Sequence, residues 1–476
     1  MSDTLQRAPR YVSPVRALAD QAFSRAAGAN LIEGNRVRLL RDARQNYPAW
    51  LEAIAAARQR VHFENYIFRD DATGEKFASA LIAAARSGVR VRLIYDWVGG
   101  FGKTSAAFWR RLREAGIEVR CYNPPSLDAP FGWLSRDHRK LIVVDGEIGF
   151  ITGLCIGQMW EGQPERNIDP WRDTGISVLG PAVAEIDRAF AQVWGMLGSP
   201  VPDDEVTATH PPHDVGGVSM RIVATVPATA GMFRVAHLVA ALARQRVWLT
   251  DAYYAGTTTY VQALNAAARD GVDVRLLVPG STDIPVVRSL TRTGYRSLLE
   301  AGVRVFEWNG SMLHAKTAVA DGRWARVGST NLNLSSWLGN CELDAVIEDE
   351  NFAREMEEMY LEDLSNATEI VLNARRRVRV PRNAPVRHRG RRGTGSAQRA
   401  AAGALRVGNA IGAAFSNRRT MEPVEARLMV TVGLILLVLA TLFGFFPRAL
   451  AYPAVLFCVW FALTLLYRGY KLRRRR

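Results

Sequence analysis

Cysteine is scarce in this chain, and no apolar run opens it. The 476 residues include four cysteines, Cys121, Cys155, Cys341 and Cys458, and no two are spaced as C-x-x-C. This scarcity argues against a disulfide framework and against a cysteine zinc site, and it indicates a reducing compartment. The absence of an apolar segment near the N-terminus predicts that there is no secretory signal peptide. We therefore expect the body of the protein to stay in the cytoplasm.

Acidic residues are nearly missing from the last part of the chain. Residues 371–476 carry 21 Arg or Lys but only two acids, whereas residues 1–370 carry 40 basic and 44 acidic residues. A nucleic-acid enzyme is expected to be basic around its groove, so the slightly acidic body does not favour that class. The positive charge lies beside membrane-length apolar segments, where anionic lipid headgroups attract it.

Histidine is also rare, yet two of the seven histidines stand in the same pattern, H-x-K-x-x-x-x-D. In an extended strand, side chains two apart point the same way, so each His lies beside its Lys. The apolar run that follows predicts a strand entering the core and ending in an Asp-Gly turn, which the Asp caps. One copy alone fits a structural histidine with a solvated lysine equally well. Two copies in repeated surroundings predict one shared site. The copies are His138, Lys140, Asp145 and His314, Lys316, Asp321.

The surroundings of the two motifs recur along the chain. Residues 57–61 (ARQRV) return as 243–247, and residues 83–89 (AAARSGV) return as 266–272 (AAARDGV). Alternating strands and helices predict an α/β protein built from two tandem α/β/α sandwich repeats with a largely parallel sheet. The motifs would face each other across a pseudo-twofold axis. The predicted parts are an N-terminal helical segment at 1–30, the first repeat at 31–200, a linker at 201–217 and the second repeat at 218–372.

An apolar region follows the repeats. Residues 373–427 are predicted to form a basic linker that includes an interfacial helix candidate. The two segments 428–446 and 449–467 are each 19 residues long, with few charges. This length suits a bilayer span, so 428–467 is predicted to be a transmembrane helical hairpin, followed by a basic tail at 468–476. A helical pair buried in a soluble domain is the alternative. Basic residues on both flanks predict that both ends of the hairpin face the cytoplasm.

At its motifs the chain resembles the phospholipase D superfamily and, within it, the bacterial cardiolipin synthases. The likeness covers residues 31–372 and rests on the paired motif and on three supporting stretches. One position departs from the pattern. The family has Asn ten residues past each motif Asp, as at Asn331, but the first copy has Cys155. A thiol is a poor donor compared with an amide, so the first half is expected either to bind phosphate less well there or to use Thr152 or a backbone N–H instead. The supporting stretches are Trp171-Arg172-Asp173-Thr174, Gly328-Ser329-Thr330-Asn331 and Asn340-Cys341-Glu342.

The resemblance implies a two-step mechanism on a phosphodiester. His138 would attack phosphorus and form a phosphohistidine, since a neutral imidazole is a competent nucleophile near pH 7. His314 would protonate the leaving alcohol and then deprotonate the incoming one. Lys140 and Lys316 would hold the non-bridging oxygens. No metal or other cofactor is required.

Four further residues complete the predicted site. Asn331 and Ser329 would add hydrogen-bond donors to the phosphoryl oxygens. Asp173 and Glu342 follow the two motifs at similar distances. Each is expected either to orient a histidine or to form an ordinary surface salt bridge. The motif aspartates, Asp145 and Asp321, are expected to be structural and to cap the turn after the strand.

The resemblance and the apolar tail together predict a phosphatidyltransferase of the bacterial inner membrane, with its body facing the cytoplasm. It would make cardiolipin from phosphatidylglycerol, or from phosphatidylethanolamine plus phosphatidylglycerol. Hydrolysis of phospholipids to phosphatidate uses the same parts and is the main alternative. A nuclease or a non-catalytic membrane scaffold fits the sequence less well. The oligomeric state is not indicated by the sequence.

Overall fold

The repeat in the sequence is a repeat of secondary structure. The computed structural model describes residues 14–126, 134–166, 168–206, 215–280, 292, 294–372, 378–379, 434 and 437–474. Its strands are β1 (Ile32–Arg41), β2 (Arg60–Asn65), β3 (Arg90–Asp96), β4 (Glu118–Tyr122), β5 (Lys140–Val144), β6 (Ile148–Thr152), β7 (Thr174–Leu179), β8 (Val218–Thr225), β9 (Arg246–Thr250), β10 (Asp273–Pro279), β11 (Arg304–Trp308), β12 (Thr317–Ala320), β13 (Trp324–Gly328), β14 (Glu342–Glu348), β15 (Ala367–Leu372) and β16 (Val378–Arg379).

Helices fill the connections and flank the sheet. The α-helices among the described residues are Pro14–Ala27, Asp42–Ala56, Ala72–Arg86, Trp97–Gly100, Ala106–Glu114, Gln158–Glu161, Val183–Met196, Gly231–Leu242, Thr258–Arg269, Tyr295–Glu300, Glu350–Ser365 and Pro447–Arg474. The helix Pro14–Ala27 falls within the helical segment expected at the N-terminus.

The strand order makes the internal symmetry explicit. All sixteen described strands form one sheet, in the order β16-β15-β11-β10-β9-β12-β13-β14-β8-β1-β7-β6-β5-β2-β3-β4. Going outward from the central pair, β1-β7-β6-β5-β2-β3-β4 corresponds strand for strand to β8-β14-β13-β12-β9-β10-β11. The two predicted α/β repeats are therefore present, and they are joined edge to edge through β1 and β8.

The predicted largely parallel sheet is wrong. Parallel pairing among the described strands is confined to β2-β3-β4 and β9-β10-β11, and the other pairs are antiparallel. A parallel pair needs a crossover connection, and crossover helices join neighbouring strands of the sheet only in those two regions. After each motif the chain turns back directly, through residues 145–147 and 321–323, so β6 and β13 run antiparallel to the strands before them.

A shared core joins the two halves. One apolar cluster contains buried Val143 and Ile176 of the first half together with Val319 and Ile347 of the second. The helix Val183–Met196 packs on β5 and reaches β8, while Glu350–Ser365 packs on β12 and reaches β1. Each half thus helps to cover the other, which fixes the motifs relative to each other. Both motifs lie where β5 and β12 begin, at the edge where β2 and β9 end.

Several predicted segments lie partly outside the described residues. These are the start of the N-terminal segment (1–13), the middle of the linker (207–214), most of the basic region (373–377 and 380–427), eight positions of the first apolar segment (428–433 and 435–436) and the end of the basic tail (475–476). The second apolar segment falls within the helix Pro447–Arg474. Among the described residues, none of the helices combines the length and apolarity needed to cross a bilayer.

Candidate active site

Each motif places a histidine and a lysine in the interior. His138 and Lys140 are 1% and 0% exposed, and His314 and Lys316 are 5% and 1% exposed. Each lysine ammonium donates to the backbone carbonyl of its own histidine. The ammonium groups also lie over aromatic rings, with Lys140 5.2 Å from the ring centre of Tyr66. These lysines are therefore buried functional candidates rather than solvated charges.

The two halves exchange backbone contacts at the motifs. The amide N–H of His138 donates to the Cys341 carbonyl at 2.9 Å, and that of His314 donates to the Arg172 carbonyl at 2.7 Å. Asp137 and Cys341, and likewise Arg172 and Leu313, form isolated parallel bridges. Each motif is thus paired with a segment from the opposite half, so neither half builds the site alone.

Each histidine is bonded to a carboxylate of the other half. His138 Nδ1 lies 2.8 Å from a Glu342 oxygen, and His314 Nδ1 lies 2.7 Å from Asp173 Oδ2. Both carboxylates are fully buried, which the surface salt-bridge alternative did not anticipate. An Nδ1–H that donates to a carboxylate fixes the tautomer and leaves the Nε2 lone pair for substrate.

Burial and positive charge keep both imidazoles neutral. Burial, with Lys140 and Lys316, lowers the pKa of His138 well below its ordinary value. Burial, Lys316 and Lys140 lower the pKa of His314 to about 3, although Asp173 opposes the change. Each histidine therefore responds to the lysine of the opposite half as well as to its own. This cross-influence indicates that the four groups occupy one chamber.

The pKa of Lys316, the lysine of the second motif, is also shifted from its ordinary value. Burial lowers the pKa of Lys316 to about 8, with Asp173 opposing the change and Lys140 adding to it. Its Nζ lies 2.9 and 3.1 Å from the two ring nitrogens of His314. Two ammonium groups confined in one buried site repel each other, so a negatively charged ligand bound between them would be stabilised.

The two orienting carboxylates have different surroundings. The hydrogen bond from His314 and the charge of Lys316 hold the pKa of Asp173 below its ordinary value despite burial, and Trp160 donates to the same carboxylate at 3.2 Å. Burial raises the pKa of Glu342, which accepts from Ser329 Oγ at 2.6 Å. Ser329 was expected to donate to a phosphoryl oxygen. Its hydroxyl is instead engaged between Glu342 and the Leu343 amide, so it supports the carboxylate.

Asn331 and Cys155 stand at matching positions of the two halves, and they differ in what they offer. Asn331 is fully buried, and neither its amide nitrogen nor its amide oxygen has a partner within the described structure. A buried unpartnered amide is costly unless a ligand engages it. Cys155 is also buried near Lys140 and Lys316, and burial raises the pKa of its thiol. The thiol stays protonated and does not act as a competing nucleophile.

The motif aspartates lie away from the histidines, at the far ends of β5 and β12. Asp145 accepts from the backbone amides of Arg58 and Gln59, both at 2.8 Å, and from that of Arg60 at 2.9 Å. Asp321 makes the same three bonds in the second half. The expected cap of the aspartate's own turn is therefore replaced by a cap on the start of the neighbouring strand. Although both belong to the H-x-K-x-x-x-x-D motifs, neither residue contacts the His and Lys side chains of its motif, so both aspartates are structural rather than catalytic.

Sequence reasoning missed the residues that join the halves behind the site. Arg172 forms two bonds to Asp363, at 2.8 and 2.9 Å, and another to Asp42 at 3.1 Å. Arg139 donates to the carbonyls of Glu342, Ala189 and Thr225. The sequence pointed to these two arginines only through their positions, Arg172 beside Asp173 and Arg139 beside His138. Most of their hydrogen-bond partners are distant along the chain, so the sequence could not predict the bonds. Within the described ranges, no group of His, Cys, Asp or Glu is arranged to hold a metal ion.

Comparison with known proteins agrees with this arrangement. A family described as "Cardiolipin synthase, PLD-like domain" matches residues 50–168 and 239–364, which contain both motifs. Cardiolipin synthase A of Pseudomonas aeruginosa (strain LESB58) is 34% identical over 377 residues, covering 78% of this chain and 75% of the relative. Cardiolipin synthase of Geobacillus sp. (strain WCH70) is 32% identical, covering 70% of this chain and 67% of the relative.

A solved structure supports the fold independently. The phosphatidylserine synthase of Haemophilus influenzae Rd KW20 superposes with a TM-score of 0.58 at 13% identity, covering 73% of this chain and 91% of that one. At this identity the likeness concerns the fold alone. The family match over both halves and the identity to the curated relatives are sufficient for assignment. The chain belongs to the cardiolipin synthase family of phospholipase D-like proteins.

Proposed function

We propose that this protein is a phosphatidyltransferase that makes cardiolipin from phosphatidylglycerol, or from phosphatidylethanolamine plus phosphatidylglycerol, through a phosphohistidine. The observation that carries the proposal is the pair of buried histidines, each bonded through Nδ1 to a carboxylate of the opposite half. The family assignment supports a lipid rather than a nucleic-acid substrate.

The first step forms the covalent intermediate. The neutral His138 Nε2 attacks phosphorus, an N–P bond forms and the bond from phosphorus to the leaving glycerol oxygen breaks. His314 transfers a proton to that oxygen. In the free site, burial and the two ammonium groups lower the His314 pKa to about 3. The negative charge of a bound phosphodiester offsets them, so that the imidazolium forms in the complex.

The second step reverses the roles. His314, now neutral, removes the proton from a hydroxyl of the acceptor phosphatidylglycerol, whose oxygen attacks the phosphohistidine. The P–N bond breaks, and the electron pair returns to His138. Throughout, Lys140 and Lys316 hold the non-bridging oxygens, and the unpartnered amide of Asn331 donates to one of them. Choice of acceptor decides the product, since water in place of the lipid hydroxyl gives phosphatidate.

The setting we propose is the cytoplasmic face of a bacterial inner membrane. The apolar segments at 428–467 would form a helical hairpin with both ends in the cytoplasm, and the basic region before it would contact anionic headgroups of the inner leaflet. Support comes from the apolar composition of the helix Pro447–Arg474 and from 21 basic residues after position 370. Such attachment would keep the site beside lipid hydroxyls and so favour transfer over hydrolysis.

A product assay tests this proposal. Detergent-purified protein is incubated with phosphatidylglycerol labelled in its phosphate, and the lipids are separated by chromatography. We expect labelled cardiolipin and one free glycerol per turnover. Labelled phosphatidate without cardiolipin would assign hydrolysis instead, and no lipid product would remove the enzyme from this class. His138→Ala is the control for contaminating activity and is expected to form no product.

A further inference from the structure

Two buried carboxyl groups lie behind the strand that carries His138. Glu64 of β2 stands opposite Leu141 of β5, and Asp137 directly precedes His138. Both carboxyl groups are completely buried, and they are in side-chain contact with each other. Neither oxygen of Glu64, nor Oδ2 of Asp137, accepts a hydrogen bond from an N–H or hydroxyl group of the described residues.

The guanidinium of the neighbouring arginine does not pair with these two carboxyl groups. The guanidinium of Arg139, whose charge acts on both carboxyl groups, directs its hydrogen bonds to Glu342, Ala189, Gln192 and Thr225, and only the Arg139 backbone amide donates to Asp137 Oδ1, at 3.4 Å. Two adjacent carboxylates in a buried site cannot both ionise, because their repulsion is barely screened. Burial and Asp137 raise the pKa of Glu64 well above its ordinary value, and burial raises that of Asp137 to about 6. The titratable and charged groups that face the pair are Asp96, Tyr122, Arg139, Lys140 and Cys341.

The second half provides an internal comparison. Thr250 stands opposite Thr317 as Glu64 stands opposite Leu141, and Leu313 precedes His314 as Asp137 precedes His138. Both carboxyl groups are therefore absent together from the second half. This joint absence indicates that the two act as a unit, and that the unit serves His138 alone.

We propose that Glu64 and Asp137 share one proton and that this carboxyl pair positions His138 against Glu342. The Asp137 amide donates to Asp96 at 3.0 Å, and the same segment forms the bridge to Cys341, the neighbour of Glu342. A proton between the carboxyl groups ties this segment to β2. Without it, the two charges would push the segment away from β2 and disturb the 2.8 Å bond between His138 and Glu342.

Infrared spectroscopy of the full-length protein tests the shared proton directly. A protonated carboxyl group has a C=O stretch that is resolved from that of a carboxylate and shifts in D₂O. We expect the wild type at pH 7 to show such a band that is lost in both Glu64→Gln and Asp137→Asn. Asp187→Asn is the matched control, because Asp187 is a buried carboxylate on the same side but is bonded to His62 at 2.6 Å. That variant should retain the band.

Kinetics test the positioning role, and this arm rests on the proposed function. Gln at position 64 donates permanently to Asp137, so Glu64→Gln should keep kcat within about threefold. In Glu64→Leu the side chain has a similar volume but no hydrogen-bond donor. The resulting small displacement of His138 should lower kcat by about tenfold or more. Each variant is first checked for folding by circular dichroism. If Glu64→Gln does not fold, Asp137→Asn is used in its place.

Two results would overturn the inference. A protonated band that persists in both Glu64→Gln and Asp137→Asn would show that the proton lies elsewhere. Equal kcat in folded Glu64→Gln and Glu64→Leu would show that the hydrogen bond does not position His138. The infrared result needs no turnover, so it stands even where the lipid assay fails.

Discussion

At the scale of the residue, the central feature is that each motif histidine is hydrogen-bonded to a carboxylate of the opposite half. Glu342 serves His138 and Asp173 serves His314, with both bonds made through Nδ1. A histidine held in this way presents Nε2 in the reactive tautomer. The sequence predicted both carboxylates as candidates but could not assign them, because spacing along the chain does not encode a crossing between halves.

Neutralising either carboxylate should therefore harm catalysis more than folding. We expect Glu342→Gln and Asp173→Asn to lower kcat by about 10²–10⁴-fold, since an amide can stabilise the wrong imidazole tautomer. Steady-state kinetics on phosphatidylglycerol, with thermal unfolding of the same samples, measures both effects. The matched control is Glu161→Gln, a partly exposed carboxylate bonded to Lys76, which should keep wild-type kcat. Wild-type kcat in Glu342→Gln and Asp173→Asn would contradict the orienting role.

Lys316 should set the alkaline limit of activity. Burial lowers its pKa to about 8, so the ammonium that we propose holds a phosphoryl oxygen is lost as pH rises through that value. We expect kcat/KM of the wild type to fall above pH 8. Lys316→Arg stays charged, so its kcat/KM should be lower overall but should keep its value to higher pH.

A pH–rate profile measured in detergent checks this expectation. Lys76→Arg, at a largely exposed lysine, is the matched control and should show the wild-type profile. An alkaline limb that is the same in Lys316→Arg and wild type would assign that limb to another group.

At the scale of the element, the hairpin after each motif is held by a side chain rather than by its turn alone. Asp145 and Asp321 sit at φ of 53° and 51°, and each receives three backbone amides from the segment that opens the adjacent strand. The sequence indicated a strand and an Asp-Gly turn. It could not indicate the partner, because residues 58–60 and 244–246 lie more than 70 positions upstream.

Removing one of these carboxylates should lower the free energy of unfolding but leave the catalytic activity of the folded protein unchanged. Asp145→Ala and Asp321→Ala each leave three amides without their acceptor, and we expect each to lower the free energy of unfolding by about 1–3 kcal/mol. The activity per folded molecule should remain near wild type. Denaturant titration and active-site-normalised kinetics measure the two quantities. Loss of kcat at full folding would return the aspartates to the catalytic machinery.

The sheet shows where pattern reading succeeds and where it fails. The recurrence of 57–61 at 243–247 located β2 and β9 and so the two repeats. Strand direction was mistaken, because the alternation of strands and helices around β2-β3-β4 was extended to strands that have no crossover helix. The ladder joining β1 to β8 lies between the repeats, and no local signal in either repeat predicts it.

At the scale of the whole molecule, the body (residues before 373) and the tail (the residues after it) are expected to have different roles. The two halves share a core and one sheet, so the fold of residues before 373 fixes the positions of the two motifs. The tail carries the net positive charge of the chain and the apolar helix Pro447–Arg474. We therefore expect the tail to control where the enzyme acts and the body to control what it does.

Truncation after Leu372 should separate these roles. The truncated chain should keep activity on phosphatidylglycerol in mixed micelles but lose co-sedimentation with phosphatidylglycerol vesicles. The full chain should stay with vesicles in 1 M salt, because an inserted hairpin does not depend on charge, whereas electrostatic attraction is screened over about 3 Å at that ionic strength. Release of the full chain by salt would contradict insertion.

The most direct test of the account is identification of the covalent intermediate. Protein is mixed with phosphatidylglycerol, quenched at alkaline pH within the first turnover, digested and analysed by mass spectrometry for a phosphatidyl adduct. The account predicts an adduct on His138 that is chased into cardiolipin by further phosphatidylglycerol. An adduct on His314 or on another side chain, or cardiolipin formed with no adduct on His138, would contradict it.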